Sequence, residues 1–320
     1  MPRRTYAGWV AAPFLVLCAA CGQWSGAPVK TVEPAAIPLG PGRTVTVARL
    51  AEDAGAPAVD AWGDTVVVAW IEASGDGTPV TVKSATSRDA GASFDAPVIV
   101  GTIPVEHDVA PGALRAEVGV GAAAPGTQAG ASQVWVRVSA GHAPATRAWR
   151  SRDGGRGYVE IDSRDMPAET VFPERWEPMA SETAVAPGTL AVAASGTRRT
   201  AGIQHVPIPT AAVGDPVATV DDHGALALLW RERAGAGRIS LVVRRAWVDW
   251  NITGGAAPGF DAAYTLATVA ESPRRPALTR VPGGIVVAWI DPEAEESPGV
   301  FARRLGLDMT CTRESTLAPR

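Results

Sequence analysis

Ser87-Arg88-Asp89-Ala90-Gly91-Ala92-Ser93-Phe94 is a turn signature set among apolar runs. It has the form S-x-D-x-G-x-S-aromatic, and short apolar runs lie on both sides of it. An Asp side chain accepts hydrogen bonds from N–H groups just downstream and so closes a tight turn. Gly two residues on supplies a backbone angle that other residues resist. The terminal aromatic is placed to fold back into a neighbouring core. Ser151-Arg152-Asp153-Gly154-Gly155-Arg156-Gly157-Tyr158 is a looser copy, with Gly157 where the first has a hydroxyl.

Working outward, β-rich runs alternate with Gly/Pro/Asp turns. Ala56–Asp60, Thr65–Ile71, Val80–Thr86 and Pro97–Val100 make four strands joined by short connections. The same order recurs around the second copy, with Glu117–Gly121, Gln133–Val138, Thr146–Arg150 and Tyr158–Ile161. Three lines repeat a theme: Val68-Ala69-Trp70-Ile71-Glu72, Leu228-Leu229-Trp230-Arg231-Glu232 and Val287-Ala288-Trp289-Ile290-Asp291. Each reads as an inner strand ending in Trp, with an acid two residues on. Units of roughly fifty residues with this layout predict an all-β fold, a β-propeller of five to six four-stranded blades. The rival is a β-sandwich. Thr44–Leu50 has no hairpin partner before it and is expected to close the ring against the C-terminal blade.

The two Asp-centred stretches resemble the Asp-box, or bacterial neuraminidase repeat, of sialidase-type β-propellers. The resemblance implies that Ser87, Asp89, Gly91 and Phe94, with Ser151, Asp153, Gly155 and Tyr158, build structural turns between the outer two strands of a blade, away from the catalytic face. That family grips a carboxylate with three Arg and uses a Tyr–Glu nucleophile pair and an Asp acid/base. Its first Arg precedes Ile-Pro or Leu-Pro, and neither Arg43 nor Arg49 has that Pro. Tyr264 is the remaining candidate for the nucleophile. Arg231, Glu232 and Arg304 are candidates for a central pocket. No catalytic residue is assigned.

The ends and the bulk composition complete the expectation. Arg3 and Arg4 precede an apolar run ending in Leu17-Cys18-Ala19-Ala20-Cys21, which resembles a bacterial lipobox with Cys21 as the lipidated residue. Residues 1–21 then form a lipoprotein signal peptide, 22–42 a flexible Pro/Gly/Ala tether and 43–320 a single propeller domain. A net charge of −4 gives no nucleic-acid footprint. Glu106-His107-Asp108 alternates across a strand, and Asp221-Asp222-His223-Gly224 reads as a hairpin turn, so no metal and no cofactor is expected. Trp247 and Trp250 are the most suggestive ligand-stacking pair. The expected protein is an exported monomer, anchored by lipid to the cell envelope, that binds a glycan or an envelope protein without catalysis. The alternative is an exo-sialidase.

Overall fold

The computed structural model describes residues 39–40, 42–50, 54–73, 79–104, 114–122, 132–140, 147–165, 189–196, 199–207, 212–220, 225–246, 263–272, 274–295 and 297–307. The expected signal peptide, Cys21, most of the expected tether, Trp247 and Trp250 lie outside them.

The described chain is all β apart from one helical turn, Ser163–Asp165. Its strands fall into consecutive antiparallel sheets. The first sheet is β3 (Ala58–Trp62), β4 (Thr65–Ala73), β5 (Val80–Ser87) and β6 (Val98–Ile103), paired in that order. The second is β7 (Leu114–Gly121), β8 (Gln133–Ala140), β9 (Arg147–Ser151) and β10 (Val159–Ile161). β11 (Thr189–Gly196) and β12 (Arg199–Pro207) form a two-stranded third sheet. The fourth is β13 (Ala212–Val220), β14 (Leu226–Gly235), β15 (Arg238–Ala246) and β16 (Tyr264–Ala270).

The last sheet holds β17 (Ala277–Val281), β18 (Gly284–Asp291) and β19 (Gly299–Leu307). Its outer edge comes from the other end of the chain. β2 (Thr44–Arg49) pairs with β19, and the short β1 (Leu39–Gly40) continues along the same strand. The expected closing strand is therefore present, and it brings Val47, Ala48 and Leu50 into the core.

The sheets pack as propeller-like blades. The first strands are innermost, with β3 lying against β7 and β17, and β13 against β17. The Trp-bearing strands β4, β14 and β18 are second in their sheets, which corrects their reading as inner strands. β4 explains why a second strand gives the strongest apolar run. Val66, Val68 and Trp70 face the last sheet, while Val67, Ala69 and Ile71 face the second. Successive side chains point to opposite sides of a strand, so burial on both sides removes the polar alternation. β18 repeats this, with Val286, Ala288 and Ile290 on one side and Ile285, Val287 and Trp289 on the other.

The two Asp-centred turns join the third and fourth strands of the first and second sheets. In the first, Ser87 Oγ donates to Asp89 Oδ1 (2.7 Å) and accepts from the buried Gly91 N–H (2.8 Å). Asp89 accepts from Ser93 N–H (2.8 Å) and Ser93 Oγ (2.6 Å). In the second, Ser151 Oγ accepts from Gly155 N–H (2.8 Å), and Asp153 accepts from Arg156 and Gly157 N–H groups (3.0 and 3.1 Å). Ala90 and Gly91 have φ of 55° and 89°, and Gly154 and Gly155 have 74° and 85°. Two successive left-handed residues make the turn, which is why Gly is needed in it. A Cβ on Gly91 would lie 2.7 Å from Val286 Cγ2. Partial burial pushes both Asp carboxyls up, but hydrogen bonds, foremost from the Ser93 and Ser151 hydroxyls, outweigh it and hold them below the ordinary aspartate value.

Each turn's aromatic packs into a gap between sheets. Phe94 lies against the cluster shared with the last sheet, and Tyr158 against the cluster between the first and second. Ser84 Oγ on β5 donates to Tyr158 Oη (3.0 Å), and burial pushes the phenol up to about 12.

Candidate functional site

Strand direction divides the molecule into two faces. The turn face carries the β3–β4 hairpin, the β17–β18 hairpin and both Asp-centred turns. The opposite face carries the β14–β15 and β18–β19 hairpins and the 271–276 crossover from β16 to β17. Inner strands start on the opposite face, so the candidate residues at the end of β14 belong there.

Arg231 and Glu232 sit near that end of β14. β13 loses register between Val213 and Val217, where Gly214 takes a φ of 72°. The guanidinium of Arg231 fills the space over Gly214, with Nη2 2.2 Å from where a Cβ would stand. Its Nη1 donates to the carbonyls of Ser272 (2.7 Å) and Arg274 (3.4 Å). Arg275 Nη2 donates to the Pro216 carbonyl (2.5 Å). Arg231 and Arg275 thus tie the crossover to the irregular part of β13. Burial of Arg274 lowers its pKa. Three Arg at one junction still concentrate positive charge, the chemistry that receives carboxylates.

Glu232 accepts from Trp230 Nε1 at 2.7 Å. The same pair occurs in the first sheet, where Glu72 Oε1 accepts from Trp70 Nε1 (2.7 Å) and Oε2 from Lys83 Nζ (2.6 Å). Residues i and i+2 share a side of a strand, so the acid two positions after Trp reaches the indole. In the last sheet Asp291 is one methylene shorter. It accepts from the Glu293 and Ala270 N–H groups (3.1 and 3.4 Å), and Trp289 stacks on Phe301 at 6.0 Å.

Tyr264 begins β16, the outermost strand of its sheet, and the Arg303 guanidinium lies 5.4 Å from its ring centroid. That places it at the rim, away from the inner strands where a central nucleophile would stand. Arg304, on the third strand of its sheet, donates from Nη2 to the Pro282 carbonyl (3.0 Å) on the turn face. Arg231 and Glu232 are neighbours, while Tyr264 and Arg304 stand elsewhere and are bonded within the fold.

Asp60 belongs to no motif legible in the sequence. It is 3% exposed in the inner strand β3. Its Oδ2 accepts from the Val120 N–H of β7 (2.6 Å) and its Oδ1 from Thr279 Oγ1 of β17 (3.4 Å). One carboxylate therefore joins the inner strands of three sheets. The available signal was a lone acid inside Ala58-Val59-Asp60-Ala61. Among the described residues, no cluster of three or more His, Cys, Asp or Glu is placed to hold a metal ion.

No protein-family model and no curated protein sequence matches the chain. Several solved structures align with the chain at low identity. The catalytic domain of a GH62 α-L-arabinofuranosidase from Coprinopsis cinerea aligns at 10% identity with a TM-score of 0.37, over 83% of this chain and 97% of that one. An α-L-arabinofuranosidase from Podospora anserina in complex with cellotriose aligns at 13% identity and TM-score 0.36, over 83% and 98%. A protein of unknown function from Dyadobacter fermentans aligns at 14% identity and TM-score 0.33, over 84% of each. The architecture rests on the sheet pairing, and the function on the residues above.

Proposed function

We propose that this chain is a lipid-anchored propeller of the cell envelope that binds a glycan or an envelope protein and performs no catalysis. The observation that carries this reading is the use made of the candidate catalytic side chains. Arg231 holds main-chain carbonyls, Glu232 holds an indole and Tyr264 stands at the rim. The sialidase-type assignment draws support from the two Asp-centred turns and their place between third and fourth strands. Five blades fit the sheet order, with β11 and β12 belonging to the third. Cys21 carries the anchor.

The Arg231–Arg274–Arg275 junction on the opposite face is the surface we assign to the ligand, and a carboxylate-bearing glycan or an acidic protein segment suits its charge. A glycan array with the purified full chain, beside capture of acidic envelope proteins, tests this. Binding that weakens as salt rises and falls at least tenfold in Arg274→Ala supports it. Tight binding indifferent to salt and to that substitution would overturn it. Retention of Cys21→Ser in the membrane fraction would remove the anchor from the account.

A further inference from the structure

The point where the chain enters the domain is fixed by strand pairing. Leu39 pairs with Leu307 and Gly40 with Gly306, and Gly306 in turn pairs with Gly284 at the β17–β18 hairpin. The first Asp-centred turn sits beside that hairpin, since Gly91 abuts Val286. The Asp64 carbonyl of the β3–β4 hairpin accepts from Ala90 N–H (2.9 Å), and Arg88 Nη2 donates to the Gly154 carbonyl of the second turn (3.3 Å). The chain therefore enters on the turn face.

The same face bears exposed apolar side chains. Among the described residues, three large hydrophobics are strongly exposed: Trp62 at 54%, Ile99 at 64% and Val159 at 70%. Trp62 ends β3 at the β3–β4 hairpin, and Val159 begins β10 directly after the second Asp-centred turn. Ile99 stands higher, on the outer strand opposite Lys83. The turn face carries exposed charge of both signs, Arg88, Arg152 and Arg156 beside Asp64, Asp89, Asp95 and Asp153, so its apolar side chains rather than a net charge set it apart. Trp is favoured at the boundary between headgroups and acyl chains, where one side of the ring meets lipid and the N–H meets water.

We propose that the turn face is the membrane-facing surface of this protein, with Trp62 and Val159 resting at headgroup level in a bilayer. The proposal rests on the lipid anchor at Cys21. A coil of the Pro/Gly/Ala-rich composition between Cys21 and Leu39 would have a root-mean-square span of about 25 Å, which would keep the face where the chain enters nearest to the lipid. The opposite face, with its Arg junction, then points away from the membrane toward ligands.

The test uses the full-length protein, bound to vesicles of phosphatidylethanolamine with phosphatidylglycerol, in a Cys311→Ser background. An environment-sensitive fluorophore is placed singly at Trp62→Cys, Asp64→Cys, Val159→Cys or Glu293→Cys. Asp64→Cys reports the same hairpin as Trp62→Cys with the Trp retained. The expected result is a blue shift and quenching by brominated lipid at positions 62, 64 and 159, with neither at 293. Acylated protein that floats with the vesicles yet responds equally at all positions, or only at 293, overturns the orientation alone. Mass analysis showing an unacylated Cys21 overturns the anchor and this proposal with it.

Discussion

Within the first Asp-centred turn the two polar side chains have unequal duties. Asp89 is mostly exposed, and the N–H of Ser93 that it accepts is also near solvent. Ser87 is 1% exposed and satisfies the buried N–H of Gly91. Leaving a buried donor without a partner costs about 1–3 kcal/mol, whereas a partner lost near water is largely replaced by solvent. Ser87→Ala is therefore expected to lower unfolding stability by about 1–3 kcal/mol and Asp89→Ala by about 1 kcal/mol or less. Urea titration of the two variants measures this, and a larger loss for Asp89→Ala would reverse the assignment. Tyr158 gives a pH signature. Its folded-state value is about 12 against an ordinary 10.0, because burial disfavours the phenolate. The stability it contributes is complete below pH 10 and is lost as pH rises through 12. Tyr158→Phe should remove that alkaline decline in denaturation measured across this range.

Strands β4 and β14 carry the Trp-x-Glu pair, whose spacing was visible in the sequence without its reason. The sequence shows only that Trp and the acid recur at this spacing. The cause, an indole N–H buried between sheets with its acceptor two residues along, needed the strand in place. Glu72→Ala leaves Trp70 Nε1, in a side chain 0% exposed, without its acceptor. A loss of about 1–3 kcal/mol is expected, with a smaller loss for Glu72→Gln, which keeps an acceptor oxygen. Equal losses would show that the Lys83 pairing outweighs the indole bond. The closing strand β2 was legible for a simpler reason: an apolar run with no partner before it must pair elsewhere. The inner strands were harder to recognise. β3 carries a buried Asp60 and ends in an exposed Trp62, so its pattern is weaker than that of the doubly covered β4 behind it.

At the scale of the molecule, the sheet order follows from local signals, because every strand but β1 and β2 pairs with a near neighbour in sequence. The site does not, because convergence on an axis depends on which face and which radius each strand presents. Tyr264 illustrates this. Its rank as the last usable Tyr in the chain carried no information on its place in the outermost strand of its sheet. Asp60 illustrates the converse, since its contacts with Val120 and Thr279 join residues far apart in sequence. In the proposed function Arg231, Glu232 and Tyr264 serve the fold and do not turn over substrate. Release of fluorophore from a fluorogenic sialoside by the purified full chain tests it most directly. No release above a buffer control is predicted for the wild type. Turnover that disappears in Tyr264→Phe while the protein stays folded would contradict the account.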